Sequence, residues 1–185
     1  ANLGSVAVLK LAKGAGEGGA DVNLATENGR TPLYIAALEG HLEVVKWLGG
    51  KGPGPGGADV NLAGNDGCTP LYIAAQSGHV DVVKWLAGKG PGEGGADVNT
   101  ATNSGETPLI TAALHGRLEV VKWLVGKGPG EGGADVNQAD KEGGTPLCTA
   151  CYQGHKDIVA LLLDKARDTI DVNKAKTKNG STPLL

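Results

Sequence analysis

The chain repeats itself every 38 residues, and this repetition limits its possible folds more than any other feature. The tripeptide Thr-Pro-Leu begins at positions 31, 69, 107, 145 and 182, and Asp-Val-Asn begins at positions 21, 59, 97, 135 and 171. A glycine stands two residues before each of those threonines. Because three motifs recur in phase five times, we predict a tandem array of similar units stacked along one axis.

The composition agrees with thin, stacked layers. The 185 residues include no Phe, three Trp and three Tyr, so Leu, Val, Ile and Ala must form the core. A formal net charge of −3 does not favour binding to nucleic acid or to an anionic membrane. No apolar run is long enough for a membrane span.

The compartment is only weakly indicated. The chain opens with no signal-peptide pattern, and its odd number of cysteines, three, favours a reducing, cytoplasmic setting. A chain that forms fibrils would instead be extracellular. The absence of Met suggests a processed form or a piece of a longer chain.

The first complete unit predicts a pair of short helices. Thr31 is expected to N-cap a helix whose first residue is Pro, and Gly40 is expected to end it. Residues 41–48 then form a second helix with an apolar stripe. Glu43 and Lys46 lie on its outer side as an i,i+3 pair.

Four segments carry a family resemblance: TPLYIAALEGHLEVVKWL, TPLYIAAQSGHVDVVKWL, TPLITAALHGRLEVVKWL and TPLCTACYQGHKDIVALL. They resemble ankyrin repeats. The resemblance implies an all-α solenoid of helix-turn-helix units joined by β-turn or hairpin loops, and a non-catalytic scaffold that binds a protein partner through its concave face. The single array 1–185 divides into a half-repeat 1–28, repeats 29–66, 67–104, 105–142 and 143–179, and the start of a further repeat, 180–185.

Each unit is longer than the usual ankyrin period of about 33 residues. The extra residues are rich in Gly and Pro and follow the second helix, at 50–57, 88–95 and 126–133. Gly and Pro disfavour both helix and strand, so we interpret these insertions as flexible loops along one edge of the solenoid.

The two ends suggest a second function. Residues 1–10 align with 113–122, and the sequence stops in the first turn of a helix, so neither end shows a polar capping repeat. One explanation is that the array is trimmed from a longer one. The other is head-to-tail self-association into a filament. The apolar residues expected at that contact are Val6, Val8, Leu9, Leu184 and Leu185.

The resemblance also implies a partner-binding surface at the turn tips and the outer positions of each first helix. The tip residues are Glu27, Asn28, Arg30, Asn65, Asp66, Cys68, Asn103, Ser104, Glu106, Lys141, Glu142 and Gly144. The helix residues are Tyr34, Leu38, Tyr72, Gln76, Ile110, Leu114, Cys148 and Tyr152. Tyr34 and Tyr72 occupy equivalent positions and are expected to be interface anchors. The alternative is a solvated face without a fixed partner.

A column of tryptophans recurs with the repeat. Trp47, Trp85 and Trp123 are 38 residues apart, and Leu11 and Leu161 occupy the matching positions. Because aliphatic residues fill the same column, we predict packing against the core. An exposed aromatic ladder for glycans or lateral packing is the alternative.

No motif indicates catalysis, a metal or a cofactor. Cys148, Cys151 and His155 are soft ligands within eight residues, but no fourth zinc ligand is near in sequence. We interpret the two cysteines as substitutions at structural positions. No Ser or Cys lies in an activating motif, and the Gly-rich segments lack the phosphate-binding pattern.

Overall fold

The stacked-helix architecture is confirmed. The computed structural model describes residues 21–50, 57–88, 94–126, 133–165 and 170–172. Over these residues it has helices and turns and no strand. The helices are α1 Pro32–Leu38, α2 Leu42–Gly49, α3 Pro70–Ser77, α4 Val80–Ala87, α5 Pro108–Leu114, α6 Leu118–Leu124, α7 Pro146–Gln153 and α8 Lys156–Lys165. One helix pair lies in each of the four complete units.

Each first helix begins at the predicted threonine. The hydroxyl of Thr31 accepts a hydrogen bond from the backbone N–H of Tyr34 at 3.2 Å, and Pro32 follows as the first helical residue. The same cap recurs at Thr69, Thr107 and Thr145. An N-cap of this kind satisfies one of the backbone donors that the first turn leaves unpaired, so the local sequence fixes where the helix starts.

Each second helix turns its apolar stripe inward. Val45 and Leu48 of α2 are buried, and Val83 and Leu86 repeat them in α4. On the outer side, Lys46 Nζ lies 3.0 Å from Glu43 Oε1, as the i,i+3 spacing predicts. This pair is exposed to solvent, so it adds little to stability beside the buried stripe.

The first helices form the closest contacts between repeats. Helices α1, α3, α5 and α7 pack in sequence, and the second helices pack less extensively. Ala37, Ala75 and Ala113 have no exposed surface at these contacts. Small side chains allow helix backbones to come close, so one continuous apolar core runs through the described repeats.

The tryptophan column packs against that core, as predicted. Trp85 is only 9% exposed, while Trp47, Trp123 and Leu161 are half-buried against core residues. A Cβ placed on Gly49 would lie 2.7 Å from Cη2 of Trp85. The indole of one repeat therefore fits against a helix end of the preceding repeat that lacks a side chain.

The two ends of each insertion meet at a hydrogen-bonded base. The backbone N–H of Ala58 donates to the carbonyl of Leu48 at 2.6 Å, and the same bond joins Ala96 to Leu86 and Ala134 to Leu124. The predicted flexible loops fall mainly on residues 51–56, 89–93 and 127–132, which lie outside the described part. Outside it too are the proposed stacking residues Val6, Val8, Leu9, Leu184 and Leu185.

Candidate protein-interaction surface

The turn tips of neighbouring repeats are joined by paired hydrogen bonds. The backbone N–H of Asn65 donates to the carbonyl of Asn28 at 3.1 Å, and its side-chain Nδ2 donates to the carbonyl of Glu27 at 2.9 Å. Asn103 repeats both bonds, to Asp66 and Asn65. Each tip therefore holds the next at a fixed distance, and the tip side chains stand on an ordered backbone.

Within each tip, a side chain accepts a hydrogen bond from the residue before the capping threonine. Thr26 Oγ1 accepts from the backbone N–H of Arg30 at 3.2 Å, and Thr102 and Asp140 do the same in their repeats. When each tip is counted with the helix pair that follows it, the second repeat has Gly64 at this position. There Asp66 Oδ1 accepts from Cys68 N–H at 2.9 Å instead.

In the described residues, a basic side chain links the end of α1, α3 and α5 to the repeat that follows. Nε2 of His79 lies 3.0 Å from the carbonyl oxygen of Leu38, and Arg117 Nε donates to the carbonyl of Gln76 at 2.9 Å. Because a carbonyl oxygen only accepts, His79 Nε2 carries the proton. This bond between repeats was not predicted from the sequence. The sequence contained one indication of it. Arg117 occupies the position that His79 has one repeat earlier, and both side chains can donate a hydrogen bond.

The structure divides the predicted binding residues into three groups. The exposed residues are Glu27, Asn28, Arg30, Asn65, Asp66, Asn103, Ser104, Lys141, Glu142 and Tyr152, and we call this set the tip face. The half-buried residues are Leu38, Cys68, Gln76, Glu106 and Leu114. The buried residues are Tyr34, Tyr72, Ile110, Gly144 and Cys148. Tyr152 is the most exposed aromatic side chain, at 82%.

The expectation that Tyr34 and Tyr72 are exposed anchors is wrong, and so is the placement of Ile110 on the surface. Their exposed fractions are 2%, 4% and 1%. They follow Thr-Pro-Leu in the first helical turn, where the neighbouring repeat covers them. The hydroxyl of Tyr72 donates to Glu106 Oε2 at 2.7 Å in the next repeat, so this tyrosine joins repeats. Burial raises the pKa of Tyr72.

The thiol of Cys68 lies near two carboxylates, those of Asp66 and Glu106. Burial, followed by the neighbouring Asp66 carboxylate, raises the pKa of the Cys68 thiol to about 12. Glu106 acts in the same direction, and Arg30 opposes both. The Arg30 guanidinium lies 5.5 Å from the ring centre of Tyr34, a distance that permits a cation–π contact. Cys68 is therefore a neutral thiol at physiological pH.

The structure adds no support for a zinc site at Cys148, Cys151 and His155. Cys148 is buried at the position that Tyr72 and Ile110 fill in other repeats, as expected for a structural substitution, and Cys151 is half-buried. Across the described ranges, no three side chains of the metal-binding types come together. The helices described here include none long and apolar enough to span a membrane.

Comparison with known proteins identifies the architecture. The sequence model described as "Ankyrin repeats (3 copies)" matches residues 1–102, 51–140 and 131–185, which together span the chain. A comparison with curated proteins found no match. Ankyrin repeats are generally modules for protein–protein interaction. The helix pairs, their capping threonines and this match together show that the chain belongs to the ankyrin-repeat family.

Proposed function

We propose that the chain is a non-catalytic scaffold that binds a protein partner through the tip face, which corresponds to the concave face of the family. The identity of that partner is open. The composition of the face supports this proposal, since equivalent tip positions carry Asn28, Asp66, Ser104 and Glu142. Asp66 also accepts the hydrogen bond from Cys68 N–H, but a residue type that changes from tip to tip is typical of a recognition surface.

The observation that carries the proposal is the hydrogen-bonded ladder of tips. Asn65 Nδ2 and Asn103 Nδ2 each bond to a carbonyl 38 residues earlier, at 2.9 Å. A backbone held in this way loses little conformational entropy when a partner binds, because the binding groups are already in place. Tyr152, exposed at one end of the described tip face, supplies the type of side chain that often dominates binding energy.

The test is a comparison of two matched variants in affinity capture with cross-linking. The first changes Asp66, Ser104, Glu142 and Tyr152 to Ala and removes four tip-face side chains. The second changes Asp81, Lys84 and Glu119, which are exposed on the second helices, to Ala. We expect the first variant to lose the partners that wild type captures and the second to retain them.

Circular dichroism must show that both variants keep the helical content of wild type. If the tip variant captures the same partners as wild type, or if the second-helix variant loses them, the tip face is not the binding surface. Partner binding through the Gly-rich insertions would give the first of these results.

A structural subunit that stacks end to end is the second candidate function. The support for it is that each repeat contacts the next in the same head-to-tail way. Asn65 donates to the preceding repeat through Nδ2 and accepts from the following repeat through its carbonyl. Contacts of this head-to-tail kind continue without closing unless a rotation completes a ring. Light scattering and electron microscopy over a concentration series test it, and a species that stays monomeric throughout contradicts it.

A further inference from the structure

Asn28 and Gly29 form an Asn-Gly pair at the exposed tip of the first complete repeat. The Asn28 side chain is exposed, and Gly29 has φ of +75°. Since glycine has no Cβ, no side chain of residue 29 blocks the approach of the Asn28 side chain to the Gly29 nitrogen. The Gly29 N–H donates a hydrogen bond to the carbonyl of Thr26 at 2.8 Å, and this bond must open before the nitrogen can attack. The sequence contains a second such pair, Asn179–Gly180, outside the described residues.

The Asn28 side chain does not make the hydrogen bond that its counterpart in the next repeat makes. Its equivalent in the next repeat, Asp66, accepts a hydrogen bond from the N–H of Cys68. In the first repeat the matching donor, Arg30 N–H, is taken by Thr26 Oγ1 at 3.2 Å. Within the described residues, the Asn28 side-chain amide makes no hydrogen bond.

We propose that Asn28 is a site of spontaneous deamidation, a modification that goes beyond the proposed binding function. The deprotonated backbone nitrogen of Gly29 attacks Cγ of Asn28, a C–N bond forms, and the bond to Nδ2 breaks with release of ammonia. Water then opens the succinimide ring at either carbonyl. The products are aspartate and isoaspartate, each with one new carboxylate, and no oxidant or reductant is involved.

The two products have different structural consequences. An aspartate at position 28 reproduces the residue that the second repeat already has at Asp66, so the tip keeps its shape and gains a negative charge beside Arg30. Isoaspartate routes the main chain through the side chain and displaces Gly29. A Cβ on Gly29 would already lie 2.6 Å from Asn65 Oδ1, so this displacement disturbs the contact with the next tip.

Two tip asparagines are matched internal controls. Asn65 and Asn103 are also exposed, but each holds its side-chain amide in a hydrogen bond to the preceding tip, at 2.9 Å. Each is also followed by a residue with a side chain, Asp66 or Ser104, which shields the attacking nitrogen. They are expected to deamidate more slowly than Asn28 in the same sample.

The test incubates the folded, full chain in mildly alkaline buffer and follows each asparagine by peptide mapping and fragment mass spectra. Isoaspartyl methyltransferase labelling detects isoaspartate. We expect conversion at Asn28 ahead of Asn65 and Asn103, with a rate that rises with hydroxide concentration. The variant Asn28→Gln should lose the signal at this position, because a Gln side chain would have to close a larger ring.

A second variant separates the structural argument from the dipeptide alone. Thr26→Gly gives the first tip the arrangement of the second, in which Gly64 precedes Asp66, and frees Arg30 N–H to engage Asn28 Oδ1. We expect deamidation to slow in this variant. The proposal is overturned if Asn28 stays intact while Asn179 converts, if Asn65 or Asn103 converts as fast, or if Thr26→Gly leaves the rate unchanged.

Discussion

Asp66 accepts a hydrogen bond from the backbone N–H of Cys68 at 2.9 Å, and by doing so it replaces a side chain that the second repeat lacks. Thr26, Thr102 and Asp140 satisfy the equivalent donor from a position two residues earlier, where this repeat has Gly64. The tip of each described repeat thus retains one internal cap, but the residue that provides it changes.

This exchange predicts a rescue experiment. Asp66→Ala removes the cap and should lower the free energy of unfolding by about 1 kcal/mol. A Cβ on Gly64 would lie 3.0 Å from Asp66 Oδ1, so the two side chains compete for the same space. Gly64→Thr in the Asp66→Ala background should restore most of the loss in a denaturant titration. A double variant no more stable than Asp66→Ala would contradict this account.

The link between His79 and Leu38 predicts that the donor matters more than the residue type. His79→Ala should lower the free energy of unfolding by about 1 kcal/mol, because the carbonyl of Leu38 loses its partner in a half-buried position. His79→Arg should stay close to wild type, since Arg117 makes the same bond to Gln76 one repeat later. Chemical denaturation of the three proteins checks this. Equal losses for Ala and Arg would show that the imidazole ring itself is required.

The close fit between Gly49 and Trp85 predicts that Gly49→Ala destabilises the wild-type protein but stabilises a variant without the indole. Gly49→Ala should destabilise the protein by about 1–3 kcal/mol, because the new methyl group meets the buried indole. With Trp85→Leu, the residue type found at Leu161, the methyl group has room. Gly49→Ala should then stabilise this background by about 0.5 kcal/mol through helix propensity. Four denaturation curves form the cycle, and additive effects would contradict direct contact.

The raised pKa of Cys68 predicts slow alkylation and a defined pH dependence. At neutral pH the thiol should react with iodoacetamide more slowly in the folded protein than in the denatured chain, and Asp66→Asn should accelerate the folded reaction. Because the pKa rises on folding, the stability contributed by the neutral thiol is complete below its ordinary value of 9.0. It is lost as the pH rises through about 12.

Cys68→Ser provides the control for that loss, since other groups also titrate in this range. Wild type should lose more stability than Cys68→Ser as the pH rises above 9.0. Parallel pH profiles for the two proteins would mean that the thiol environment does not change on folding.

The sequence predicted what local chemistry determines. Thr31 and Pro32 specify the start of a helix from within the same turn, and Glu43 and Lys46 meet because helical spacing brings them together. Whether Tyr34 and Tyr72 are buried or exposed depends instead on the adjacent repeat. The periodicity of one short helix does not contain that information. The exchange between Gly64 and Asp66 was missed for a similar reason, because it appears only when four tips are superposed.

The base of each insertion has a consequence for protein engineering. The backbone N–H of Ala58 donates to the carbonyl of Leu48 across the Gly-rich segment, so we expect the helical stack to tolerate a change in the number of residues between them. Lengthening a closed loop costs conformational entropy only slowly, by about 0.6 kcal/mol for each doubling of its length. A foreign peptide grafted between these two residues should therefore be displayed at the rim while the spacing from layer to layer is preserved.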